Sequence, residues 1–204
     1  MKKFELTSET KINIFGKKLF RIKALISFAD VEAGETGGWV EKEGNVNQSG
    51  NAWVYGNAIV YGDAKVYGDA KVYGNAEVYG NAKVSGNAEV SGNAWVSGDA
   101  EVYGNAKVSG DAEVYGNAKV YGNAEVSGDA WVYGNADYTT IHGFGTQFRT
   151  TTFFRCKDKK VRVACGCFFG TIPEFREQVK NTRKGKIAEE YLMIADLMEK
   201  HFEK

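Results

Sequence analysis

Between Asn51 and Gly134 one hexapeptide, Asn/Asp-Ala-x-Val-Tyr/Ser-Gly, is written fourteen times without an insertion. A unit this short is one strand and one corner. It cannot bury its apolar side alone, so copies stack into a solenoid. Side chains alternate sides along a strand, which puts Ala and Val on one face and x and Tyr/Ser on the other. Ala and Val never change through the fourteen copies, whereas x is Trp, Ile, Lys or Glu. The constant pair therefore faces a crowded interior. Gly followed by Asn or Asp reaches left-handed backbone angles most readily and supplies the corner.

Read as Val-Tyr/Ser-Gly-Asn/Asp-Ala-x, the repeat resembles the hexapeptide signature of left-handed parallel β-helices. In that family three hexapeptides close one triangular coil of eighteen residues. The left hand is implied by the resemblance, since ordinary parallel crossovers favour the other; a right-handed helix of another period is the structural alternative. Folding the repeat at eighteen residues sorts the outward positions into three columns. The first carries Trp53, Lys71, Glu89, Lys107 and Glu125, a ladder of alternating charge. The second carries Ile59, Glu77, Trp95, Glu113 and Trp131 beside Tyr61, Tyr79, Ser97, Tyr115 and Tyr133. The third carries Lys65, Lys83, Glu101 and Lys119 beside Tyr67, Ser85, Tyr103 and Tyr121. Only the second column lacks lysine, which marks Trp95, Trp131, Tyr61, Tyr79, Tyr115 and Tyr133 as the interaction face. The competing reading is that stacked tyrosines only shield the sheet and touch no partner.

The rest of the chain divides around the repeat into three segments: a β cap over residues 1–44, the β-helix over 45–136, and a small α+β domain over 137–204. Net charge is zero overall, which argues against general nucleic-acid binding. The repeat is acidic by five charges and the C-terminal segment basic by four, by count from the sequence. Three cysteines do not make a disulfide framework. No leader precedes the first strand pattern and no apolar run approaches a membrane span, so the expectation is a cytoplasmic protein without membrane contact.

Phe4–Thr7, Lys11–Phe15 and Leu19–Leu25 alternate apolar and polar residues around a turn at Gly16 and Lys17. A solenoid end exposes unpaired strand groups, so a cap is required there. Asn45–Gly50 reads as a degenerate repeat joining cap to coil. Arg21-Ile-Lys-Ala-Leu, Phe28-Ala-Asp-Val, Gly34-Glu-Thr-Gly-Gly-Trp-Val and Gly50-Asn-Ala-Trp-Val-Tyr resemble the lead-in of bacterial and phage hexapeptide-repeat proteins, which carry transferase-like or polymer-forming labels. Beyond Asp137, three strands are expected at Tyr138–Ile141, Arg149–Arg155 and Lys160–Phe168. Thr171 then caps a helix with Pro173 inside it and Glu174 at the capping-box position. A second helix follows Gly185, with Ile187, Tyr191, Ile194, Ala195, Met198 and Phe202 at helical spacing. Cys165-Gly-Cys-Phe and the following Gly-Thr-x-x-Glu-Phe resemble a small C-terminal domain of phage-encoded proteins.

Catalytic chemistry has little to stand on. By resemblance, β-helical acyltransferases use a histidine near a coil and a loop that interrupts it, and β-helical carbonic anhydrases hold zinc with three histidines. This chain has only His142 and His201, both outside the repeat. Cys156, Cys165 and Cys167 read as core thiols rather than a zinc site, because Cys-x-Cys lacks the usual knuckle spacing. No metal and no cofactor are expected. Arg149, Arg155, Lys160 and Arg162 are the candidates for contact with an anionic ligand, against the plainer reading of solvated strand charges. The expected function is a non-enzymatic oligomeric scaffold or binding protein, phage or prophage encoded, acting as a homo-oligomer with a trimer favoured. Two alternatives stand beside it. One is a phage counter-defence protein in the host cytoplasm that sequesters a nucleotide or blocks a host protein; the other is a degenerate acyltransferase.

Overall fold

The computed structural model describes residues 2–203. Its strands repeat at eighteen residues: Trp53 lies beside Lys71, which lies beside Glu89, with Val54, Val72 and Val90 in the same register. Fourteen two-residue strands, β4 (Trp53–Val54) through β17 (Trp131–Val132), form the three parallel walls of a β-solenoid of about five coils. At the usual strand spacing its length is about 24 Å. Every Ala and Val of the repeat is fully buried. The glycines from Gly56 to Gly128 hold φ between +56° and +74°. They also stack on one another: a β-carbon on Gly92 would lie 2.8 Å from the backbone nitrogen of Gly110. Conformation and space both demand glycine there.

Ahead of the repeat, β1 (Phe4–Ile12) and β2 (Lys18–Ala24) form an antiparallel hairpin, and β2 pairs with β3 (Thr36–Val40). β3 then runs parallel to β5 (Ile59–Val60), with Trp39 beside Ile59 and Val40 beside Val60. Gly38-Trp39-Val40 thus occupy the places of Ala-x-Val, and the coil begins there rather than at Asn45. Val40 meets Val60 and Val46 meets Val66, twenty residues on, whereas Val54 meets Val72 at eighteen. Two extra residues between Val46 and Val54 account for the difference, so Asn45–Gly50 is not a regular repeat.

The first coil leaves corner carbonyls with no strand above them, and side chains supply the missing donors. Lys3 Nζ donates to the carbonyls of Gly50 at 3.2 Å and Ala52 at 2.8 Å. Asn45 Nδ2 donates to Gly62 and Ala64, at 3.1 and 2.9 Å. Arg21 reaches the carbonyl of Gly56 at 3.4 Å. At the other end the roles invert. N–H groups of the last coil find acceptors in Asn135 Oδ1 (from Lys119), Thr152 Oγ1 (from Glu125) and Asp137 Oδ2 (from Tyr133 and Gly134).

The C-terminal domain is a second cap. Strands β18 (Tyr138–Phe144), β19 (Arg149–Arg155), β20 (Val161–Cys165) and β21 (Phe168–Thr171) form an antiparallel sheet in that order. One strand was expected through Cys165–Cys167, but Gly166 at φ +62° turns the chain and makes two. Thr152, Phe154 and Cys156 lie on the side of the sheet that closes the coil; Phe154 joins the repeat's core and Cys156 bridges Ala130. Phe153 and Val163, on the opposite side, pack under α1 (Ile172–Thr182) and α2 (Gly185–Phe202). Thr171 caps α1: its N–H donates to Glu174 Oε2 at 2.7 Å, and its hydroxyl accepts from the Glu174 N–H.

Candidate functional site

The second face is divided between the protein's own cap and solvent. Near the N-terminal end Tyr61 stacks on Tyr79 with ring centroids 5.0 Å apart, and Phe15 from the β1–β2 turn lies against both. Leu19 and Trp39 complete this small core, in which Tyr61 is buried and Tyr79 partly so. Burial raises the Tyr61 phenol above its ordinary range. These two tyrosines serve the fold.

Lower on the same face the aromatics are open. Trp95 is 39% exposed, Trp131 43% and Tyr133 60%. Tyr115 lies among them, 5.9 Å from Trp131 and edge-on to Tyr133 at 5.0 Å between centroids. The helices α1 and α2 cover the far side of the C-terminal sheet and leave this face free. Each cap also contributes a lysine to this column, which has none of its own. Lys157 Nζ pairs with Glu113 at 2.8 Å. Burial raises the Glu77 carboxyl while the nearby Lys11 ammonium opposes the rise. The face's two carboxylates are thus offset by cap lysines, leaving an aromatic surface with little net charge.

The other faces are occupied locally. Tyr103 and Tyr121 stack at 5.3 Å, and Tyr73 donates to Glu89 at 2.9 Å. Lys83 pairs with Glu101 at 3.3 Å. Lys71 turns from its rung toward Asp30, 2.9 Å away. Exposed pairs like these contribute about 0–1 kcal/mol each and fix register more than stability. Trp53, an outward residue by alternation, is fully buried under Phe4 and Phe28 of the N-terminal cap.

Of the four basic strand residues, Arg155 and Lys160 line one groove, with Lys159, while Arg149 lines another and Arg162 neither. Arg155 is engaged by Asp137 at 3.5 Å and by the Phe202 carbonyl at 2.8 Å. Arg162 pairs with Asp158 at 2.8 Å. Lys160 borders a groove that also holds Glu199 and Glu203. Arg149 lines a different cavity, together with Arg183; no periodicity pointed to Arg183, which sits at the end of α1. Of the three thiols read as core residues only Cys156 is buried, in the coil's end, where burial pushes its pKa up to about 12; Cys165 is half-buried and Cys167 exposed at the β20–β21 turn, and these two line the same cavity as Arg149. His142 contacts Thr150 Oγ1 at 3.2 Å on β18, and His201 packs against Phe202 on α2. Among the described residues no group of three or more His, Cys, Asp or Glu is placed to hold a metal ion. No helix there is long and apolar enough to cross a membrane.

A repeated eighteen-residue coil with buried Ala/Val and stacked glycine corners defines a parallel β-solenoid repeat protein. The family model of the YdcK beta solenoid repeat matches residues 52–68 and 118–134, the first and last parts of the hexapeptide array. No curated protein matches the chain.

Proposed function

We propose that this protein is a non-catalytic β-solenoid scaffold that associates side by side with its own copies through the uncovered half of the second face, as a homo-oligomer and most economically a trimer. The reading rests on one observation: Trp95, Trp131 and Tyr133 stay 39%, 43% and 60% exposed on a flat face after both caps have closed. Aromatic side chains with local charge offset are the composition of an interface core. Burying each would contribute on the order of 2 kcal/mol. The setting we favour is the host cytoplasm of a phage or prophage, on the resemblance carried by residues 165–175.

Sedimentation velocity of the native protein and of the Trp95→Lys, Trp131→Lys double variant tests this. The native protein sediments as an oligomer, and the variant dissociates with unchanged circular dichroism. A native protein that is monomeric at all concentrations overturns the proposal. So does a variant that keeps the native mass.

A further inference from the structure

A cavity of about 430 Å³ in the C-terminal domain has no part in the aromatic face. It lies between the β18–β19 turn, the β20–β21 turn and the C-terminal end of α1. Its apolar wall is Phe168, Phe175 and Tyr191, and its rim carries Gln147 and Gln178 with the guanidinium groups of Arg149 and Arg183. No Asp or Glu lines it.

The charge of those two arginines is unmatched, which sets them apart in this domain. Arg155, Arg162 and Arg176 each meet a carboxylate, at 3.5, 2.8 and 2.7 Å. Among the described residues neither Arg149 nor Arg183 does, and the Arg183 guanidinium makes only a long 3.5 Å bond to the Thr182 carbonyl. Arg149 is nevertheless positioned. A β-carbon on Gly166 would collide with its Nη1, so the guanidinium lies on the bare backbone of the β20–β21 turn. Tyr191, buried, donates its hydroxyl to the Phe144 carbonyl at 3.2 Å, which holds the aromatic wall against the β18–β19 turn. Planar guanidinium forks pair with phosphate oxygens through two parallel hydrogen bonds. The volume falls within that of small-molecule sites, roughly 300–1,000 Å³.

We infer that this cavity binds a small phosphate-bearing ligand with a planar ring. Arg149 and Arg183 take the phosphate oxygens, the Gln147 and Gln178 amides add polar contacts, and the ring rests on the Phe168–Tyr191 wall. The inference is independent of the assembly proposed above.

Isothermal titration calorimetry on the full chain tests it, with AMP as a probe that joins phosphate to a planar ring. AMP binds; adenosine and inorganic phosphate each bind at least tenfold more weakly. Arg149→Ala with Arg183→Gln lowers AMP affinity at least tenfold, and Arg149→Lys lowers it by a smaller factor because charge remains and the fork is lost. Bound AMP also slows alkylation of Cys167, which lines the same cavity. Should the double variant melt early, Arg183→Gln alone decides, since that side chain is exposed at the helix end. No AMP binding overturns the inference, as does undiminished binding in the variants. Adenosine binding as tightly as AMP removes the phosphate half, and phosphate binding as tightly as AMP removes the ring half.

Discussion

Lys3 carries an ammonium group into the N-terminal end of the solenoid, and its titration reports directly on the cap. Its residue is 2% exposed, its Nζ serves the carbonyls of Gly50 and Ala52, and the Phe28 ring lies 4.8 Å from it. Burial lowers its pKa from 10.5 to about 8, with Asp69 opposing the drop. Between about pH 8 and 10.5 the unfolded chain therefore binds more protons at this site than the folded one. Stability rises with pH across that window and is lowest below it. The drop from 10.5 to about 8 corresponds to about 3 kcal/mol at most. The perturbation is Lys3→Met, which removes the titrating group and leaves two carbonyls without a donor. Urea unfolding of both proteins at intervals from pH 7 to 10.5 gives the difference in stability. The native protein should gain on the variant as pH rises, by up to about 3 kcal/mol, because the neutral amine still donates and the desolvation of the charge is gone. A difference that stays flat refutes the buried-amine reasoning, and one that falls shows that Asp69 outweighs burial.

Phe154→Ala removes the fully buried ring that closes the C-terminal end, and should cost about 3–5 kcal/mol in thermal or urea unfolding. Gly92→Ala sets a β-carbon against Gly110 at φ +69°, and should cost about 1–3 kcal/mol while Ser91→Ala, one residue away and partly exposed, stays near zero. Iodoacetamide at pH 8 followed by peptide mass spectrometry should label Cys167 well before Cys156, because burial holds the Cys156 thiol up at about 12; equal labelling would mean that the coil's end is open.

The coil was legible because its rule is local. A six-residue unit with two constant inward residues and a glycine corner leaves one way to bury Ala and Val, and the eighteen-residue columns follow from it. The caps were less legible because their work is done by single side chains at long sequence separation. Nothing near Lys3 announces that it replaces two strand N–H groups forty-seven and forty-nine residues away. Strand alternation put Phe154 and Cys156 on one side of β19, yet alternation cannot say which side meets the solenoid. The second column was read as one surface, but Phe15 folds back onto Tyr61 and Tyr79, a contact between a turn and a coil that no period encodes. The Arg149–Arg183 cavity was half visible. Arg149 stood out as a strand charge, whereas Arg183 joins it only because α1 ends where the β20–β21 turn begins its bend.

Closing both ends changes what association requires. With side-chain donors on the first coil and acceptors on the last, axial stacking of copies finds its hydrogen bonds already made, so lateral contact is left. The open patch is short: Trp95 and Trp131 are two coils apart, about 10 Å along the axis. A fully buried aromatic contributes roughly 150–250 Å². With Trp95, Trp131 and Tyr133 about half exposed, the patch offers on the order of 300 Å², well under the roughly 800 Å² per partner of a stable pair. A single such contact is weak and dissociates on dilution. A closed ring lets every subunit make two contacts, and the third contact in a trimer forms without a further loss of translational freedom. The trimer proposed above should therefore form steeply with concentration, passing from monomer to ring with little dimer between, as sedimentation across a dilution series would show. A long-lived dimer would overturn the ring, since it would mean that the patch meets its own copy about a two-fold axis.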